Sequence, residues 1–182
     1  MDFEELVAAR RSVRRFQSRP VDDETLSRVL RATLTAPSAG NTQPYEIVVV
    51  RREETRATLA HAALGQRFLA DAPAILVFLH DVPRSVAAYG SRGADLYVIQ
   101  DTAIACAYAQ LAATALGLGA CWVGAFYPEA VARAVQAPAH LEPAVLLALG
   151  YPDEHPRPTG RRPLAEVVSQ ESAHPPTPRR AQ

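Results

Sequence analysis

Leu96-Tyr97-Val98-Ile99-Gln100-Asp101-Thr102-Ala103-Ile104-Ala105-Cys106-Ala107-Tyr108-Ala109-Gln110-Leu111-Ala112-Ala113-Thr114-Ala115-Leu116 reads as one long helix with almost no polar face. A helix that is apolar all round is buried, either in a monomer core or in a large subunit interface. Gly117-Leu118-Gly119 ends it, and Gly117 suits the left-handed C′ position. A dinucleotide fingerprint needs a strand before its glycines and a helix after them, and here that order is reversed.

Around this helix the apolar pattern alternates between helical and strand-like segments. Glu46 to Val50, Ala74 to Leu79 and Ala144 to Leu149 are short apolar runs of the kind buried on both faces of a sheet, and Ala120 to Phe126 is a fourth candidate strand. Helical patterns cover about Glu53 to Leu64 and Pro128 to Val135, the latter with proline at its first position. Near the N-terminus, Asp2 and Glu5 are placed as a capping box ahead of a Phe3, Leu6, Val7 stripe. Asp22 caps a second helix carrying Leu26, Val29, Leu30 and Leu34, with Val21 and Leu26 placed to close a hydrophobic staple. That helix must stop at Ala36-Pro37. From Tyr151 the chain turns proline-rich and reads as an extended arm, with residues 1–170 one core domain and 171–182 a tail expected to be disordered.

The 182 residues are 48% hydrophobic and 21% charged with a formal net charge of zero, so no diffuse field attracts nucleic acid or an anionic membrane. Any anion must be held by a local cluster. All the basic residues counted as Lys+Arg are arginine, which fits a coding bias and leaves no lysine for Schiff-base or general-base chemistry. Cys106 and Cys121 form no CxxC pair and read as buried free thiols. The five histidines show no metal spacing, and no GxSxG elbow supports a hydrolase. Met1-Asp2-Phe3-Glu4-Glu5 lacks the basic start of a signal peptide, and the most apolar segment is too polar to span a membrane, so a cytoplasmic location is expected.

Two polar motifs carry the chemistry. Arg10, Arg11 and Arg14 surround Ser12 at a helix end, where guanidinium forks and a hydroxyl suit a phosphate; a solvated basic turn would look the same. Pro37, Ser38, Gly40, Asn41, Gln43 and Pro44 form a turn-rich connection whose backbone and amides suit a planar ring with many acceptors, or an ordinary loop.

RRSVRRF, PVDDETLSRVLRA, APSAGNTQPYEIVVV, QDTAIACAYAQLAATALGLGACWVGAF and RRPLAEVV, taken in order, resemble the successive landmarks of the FMN-dependent nitroreductase family. The resemblance runs from about Met1 to Val168. It implies an α+β fold with a central, mainly antiparallel sheet flanked by helices. It further implies a homodimer with FMN at the subunit interface and the C-terminal arm exchanged with the partner.

By the same resemblance, Arg10 holds the FMN phosphate, Ser12 the ring or ribityl chain, and Arg14 the flavin N1 and C2 oxygen, with Arg11 in the same cradle. Pro37, Ser38, Asn41 and Gln43 come from the other subunit, the Val123-Gly124 backbone approaches N5, and Arg161 matches a late phosphate-binding arginine. Reduction builds negative charge at N1, which a cation such as Arg14 stabilises, and a glycine at 124 allows close backbone approach.

Thr159 stands where many relatives carry a lysine, and the loop from Asp81 to Ala94 is short beside the lids of larger relatives. The implied reaction is ping-pong hydride transfer from NADH or NADPH through flavin to a small-molecule, electron-poor acceptor such as a nitroaromatic or quinone. It names no catalytic side chain and no metal ligand. A flavin-binding carrier, sensor or partner-binding module is one alternative. A flavin-dependent reductive dehalogenase or dehydrogenase is another.

Overall fold

The computed structural model describes residues 1–173, so most of the expected tail at 171–182 lies outside the described residues. A four-stranded sheet forms the middle layer: β1 (Tyr45–Val50), β2 (Ala74–Asp81), β3 (Gly119–Val123) and β4 (Leu141–Gly150), in the order β1-β2-β4-β3 with every pair antiparallel. Strand β2 shows how period-2 alternation builds both faces. Leu76 and Phe78 enter a core with Leu26 and Val29 of α2 (Asp23–Thr33) and Ala105, Cys106 and Ala109 of α6 (Val98–Ala115). Ile75, Val77 and Leu79 enter a second core with Leu59 of α3 (Glu53–Ala62), Leu69 of α4 (Phe68–Asp71) and Val131 of α7 (Pro128–Val135). Phe78 is fully buried, and truncating such a side chain to alanine costs about 3–5 kcal/mol.

Local signals place the ends of the elements. Helix α1 (Phe3–Ala9) is closed by the Asp2/Glu5 capping box, and Asp22 Oδ1 accepts the Thr25 N–H at 2.8 Å to open α2. Gly117, at φ 75°, ends α6: Leu118 N–H donates to Ala113 O at 2.8 Å and Gly117 N–H to Thr114 O at 3.0 Å, the paired bonds of a Schellman motif.

Several expectations are corrected. The segment read as a loop from Asp81 to Ala94 is helix α5 (Val82–Arg92), followed by a π-helical turn at Gly93–Tyr97 that runs into α6. Asp81 caps α5 by accepting the Arg84 N–H at 3.0 Å, and Pro83 sits in its first turn. Its surface-rich composition hid it from an apolar-stripe reading. The α1 stripe is exposed within one chain, Phe3 at 69% and Val7 at 44%.

Within one chain helix α6 buries Val98, Asp101, Thr102, Ala105, Cys106, Ala109 and Ala113 and turns Ile99 and Tyr108 outward, which excludes a helix enclosed in a monomer core and is compatible with the subunit-interface alternative. Strand β1 is an edge with Glu46 and Val49 exposed, so it is not covered on both faces. Strand β3 ends at Val123, three residues early. Strand β4 is longer than expected because it pairs on both sides and admits Pro143 opposite Leu79, beside a register shift.

Candidate functional site

The segment after α1 is held on both sides by backbone. Ser12 forms a parallel bridge with Ala120, and Val13 N–H donates to Ala120 O at 3.0 Å, laying the strap along the free edge of β3. On its other side the arm that leaves β4 is zipped on: Gln17 N–H donates to Tyr151 O and Asp153 N–H to Arg15 O, both at 2.9 Å, and Phe16 bridges Pro152. Glu154 Oε1 then accepts the backbone N–H groups of both Arg14 and Arg15. Arg19 lies 4.0 Å over the Tyr151 ring. The chain therefore returns to its own start after β4.

This return builds a cleft of about 220 Å³ lined by Arg10, Arg11, Ser12, Arg14, Pro156, Arg157, Pro158, Thr159 and Arg161. Five guanidinium side chains and two hydroxyls face it, and no carboxylate lines it. Arg11 Nη1 donates to Ala8 O and Arg10 O, and Arg161 Nη1 donates to Thr159 Oγ1 at 2.9 Å, so these two forks are held in place. Thr159 thus supports Arg161 instead of adding a charge. The guanidinium groups of Arg10, Arg14 and Arg157 have no hydrogen-bond acceptor among the described residues, Arg14 lying 5.9 Å over the Phe68 ring. Uncompensated cations at one concave spot have the chemistry to hold a phosphate or similar anion.

The second motif folds on itself. Gln43 N–H donates to Ser38 Oγ at 2.9 Å, Asn41 N–H to Ser38 O at 3.0 Å, and Gln43 Nε2 to Asn41 O at 3.2 Å. Asn41 and Gln43 both have left-handed backbones, at φ 57° and 47°. Pro37 and Ser38 line a separate, more apolar hollow of about 570 Å³ with Ala39, Tyr97, Gln100, Asp101, Ala103 and Ile104. It shares no lining residue with the basic cleft. Val123 and Gly124 sit at the end of β3; a β-carbon on Gly124 would meet only Trp122 Nε1, at 3.7 Å, so nothing within one chain requires glycine there.

The sequence reading thus finds Arg10, Arg11, Ser12, Arg14 and Arg161 in one place. It misses Arg157, whose only signal is its position between Pro156 and Pro158 in the arm, and Glu154, which has no local pattern at all. Cys106 and Cys121 are buried and unpaired, and burial pushes both thiols up. Among the described residues no group of three or more His, Cys, Asp or Glu could hold a metal, and no helix is long and apolar enough to cross a membrane.

An antiparallel sheet between helical layers, with a strap and a returning arm enclosing an arginine-lined cleft, defines an α+β domain. The chain belongs to the nitroreductase family, whose model matches residues 7–151. It is 33% identical to a protein of Thermus thermophilus named NADH dehydrogenase, over 92% of this chain and 95% of that one. It is 28% identical to the FMN reductase [NAD(P)H] of Bacillus subtilis, over 89% and 70%. The solved NADPH:FMN oxidoreductase of Vibrio harveyi, complexed with NAD+, superposes with a TM-score of 0.88 at 28% identity, over 96% of this chain and 79% of that one.

Proposed function

We propose that the protein is an FMN-dependent oxidoreductase that takes hydride from NADH or NADPH. The observation that carries this reading is the convergence of Arg10, Arg11, Arg14, Arg157 and Arg161 on one cleft free of carboxylates. The donor set fits a phosphate monoester: bidentate guanidinium forks, three of them without an acceptor among the described residues, with the Ser12 and Thr159 hydroxyls beside them. The family membership and the FMN reductase among the relatives supply the rest of the ligand.

Arg10, Arg11, Ser12 and Arg161 would hold the phosphate and ribityl end, Arg14 the N1 side of the ring, and the Val123 and Gly124 backbone its N5 edge. When bound, FMN supplies the two-electron chemistry, accepting hydride from the nicotinamide and passing it, in a ping-pong cycle, to an electron-poor acceptor such as a nitroaromatic or quinone. The protein's own residues bind and orient. Arg14 offsets the negative charge that reduction builds, and no side chain is assigned as acid or base.

The site is completed by a second copy of the chain. Pro37 and Ser38 face a hollow apart from the basic cleft, which supports a reading in which the turn carrying Pro37, Ser38, Asn41 and Gln43 serves the site of the other subunit of a homodimer. Phe3 and Val7 on α1, Ile99 and Tyr108 on α6, and Leu164, Val167 and Val168 in the arm are exposed apolar residues that a partner would cover. The last three lie in or beside α8 (Leu164–Val167) and support exchange of the arm. Residues 1–170 then form the FMN-binding unit. Two free thiols suit a reducing cytoplasm.

The test is the spectrum of the purified protein. A yellow preparation that releases FMN on denaturation and is bleached by NADH or NADPH is expected. Bound flavin that neither nicotinamide bleaches would instead favour a carrier or sensor.

A further inference from the structure

Helix α5 and the π-helical turn after it form a hairpin that leans on the turn between α2 and β1. Gly90, at φ 56° and ψ −142°, breaks α5 two residues before its end. Residues eight apart in an unbroken helix stand about 12 Å apart. Here Ser85 Oγ donates to Gly93 O at 3.0 Å, and a β-carbon on Gly93 would overlap the Ser85 carbonyl oxygen, so the chain has doubled back. Ser85 is the one buried residue of α5.

Tyr89, just before the break, sits against Gly40. A β-carbon on Gly40 would overlap the Tyr89 hydroxyl and stand 3.3 Å from its Cζ, so the phenol end occupies the place a side chain would take. Gly40 is also left-handed, at φ 52° and ψ 22°, a backbone that glycine adopts at no steric cost. Tyr89 is braced in turn by Tyr97, the two rings meeting edge to face with centroids 5.0 Å apart at 88°. Arg92 Nε donates to the Tyr97 hydroxyl at 2.8 Å, and its guanidinium lies 5.3 Å from the centre of the same ring. Tyr97 lines the apolar hollow together with Pro37 and Ser38. From the other side, Asp101 Oδ1 of α6 accepts the Ala39 N–H at 3.0 Å.

We propose that Tyr89 is a positioning residue of the 37–43 turn: its hydroxyl end fills the notch over Gly40 and, braced by Tyr97 and Arg92, sets the turn's conformation. The functional consequence rests on the flavin reading above, in which Pro37, Ser38, Asn41 and Gln43 complete the partner's site; the contact itself does not. Tyr89 touches no flavin in this scheme and acts through Gly40.

The experiment is a double-mutant cycle between Tyr89→Phe and Gly40→Ala. It is read by hydrogen exchange of the ligand-free protein on peptides covering residues 36–45, and by FMN affinity from fluorescence titration. Tyr89→Phe keeps the ring on Tyr97 but vacates the notch, so exchange in that segment rises and FMN affinity falls, each by about threefold or more. Gly40→Ala displaces Tyr89 and forces the left-handed backbone on an alanine, with about tenfold or more on both readouts, or about 1.4 kcal/mol. In the double variant the new methyl takes the place of the lost hydroxyl, so Gly40→Ala adds only about threefold or less to Tyr89→Phe. Peptides from β2 and β4 keep wild-type protection throughout.

Unchanged exchange in Tyr89→Phe, or additive effects in the double variant, would overturn the proposal. Altered exchange with unaltered affinity, in protein that binds FMN, would overturn its functional consequence. If wild-type protein binds no FMN, the flavin reading fails, while the exchange cycle still decides whether Tyr89 sets the turn.

Discussion

Val13 lies so close over Gly119 that a β-carbon on the glycine would stand 2.8 Å from Val13 Cβ. The contact lets the strap bearing Arg10, Ser12 and Arg14 settle on the edge of β3. Gly119→Ala is therefore expected to lower stability by about 1–3 kcal/mol through overpacking and to weaken FMN binding as the strap shifts. Urea unfolding with a parallel flavin titration checks both; an unchanged midpoint would show that the strap yields freely.

Glu154 fixes the same strap from the arm side by accepting the Arg14 and Arg15 N–H groups. Its surroundings are solvent-accessible, so Glu154→Ala is expected to cost only about 1–2 kcal/mol. Glu154→Gln keeps an acceptor oxygen and should lose less. Equal losses in the two variants would assign the effect to the charge.

Arg10 has no acceptor among the described residues and faces the cleft with Arg161. Arg10→Ala is expected to weaken FMN binding about tenfold to a hundredfold, the equivalent of one charge-assisted pair of about 1.5–3 kcal/mol. Arg15→Ala serves as the control, because Arg15 pairs with Asp153 outside the cleft lining. Its affinity should match wild type.

His80 is half-buried, its Nδ1 lying 2.9 Å from Thr102 Oγ1, which itself donates to the Val98 carbonyl at 2.8 Å. Desolvation lowers its pKa below 6.5, against the opposing pull of Glu142. Between the folded and unfolded pKa values the unfolded chain binds the extra proton. The contribution is thus complete above about pH 6.5 and lost as pH falls through the lower, folded value. Subtracting the stability profile of His80→Asn should isolate this slope, and identical profiles would remove it.

Cys106 and Cys121 are essentially inaccessible, and burial pushes both thiols up. Native protein should resist a thiol-specific reagent at neutral pH, with both residues labelled only after unfolding. Rapid native labelling would mean local opening of α6 at Cys106 or of β3 at Cys121.

Much of the fold is legible because its signals are local. Asp2 with Glu5, Asp22 with Thr25, and Gly117 each mark a helix end through bonds spanning a few residues. Strands β2 and β4 are readable as apolar runs because helices cover both faces of the sheet. Helix α5 was hidden because only Ser85 on it is buried, so no stripe marks it. Helix α6 reads as apolar all round because a face left exposed within one chain, here Ile99 and Tyr108, can be as apolar as one in the core.

For the site, the residues themselves were visible but their arrangement was not. Arginines 10, 11, 14 and 161 stand out by type, whereas Arg157 and Glu154 become meaningful only where the arm meets the strap. The sequence by itself determined the helices and most strands, their caps and the basic character of the first turn, since these depend on side chains a few positions apart. Only the tertiary structure decided that residues 10–14 and 157–161 share one cleft and that Asp101 of α6 accepts the Ala39 N–H in the turn before β1. Those meetings are made by pairings such as Val13 to Ala120 and Asp153 to Arg15, distant in sequence and imposing no period on it.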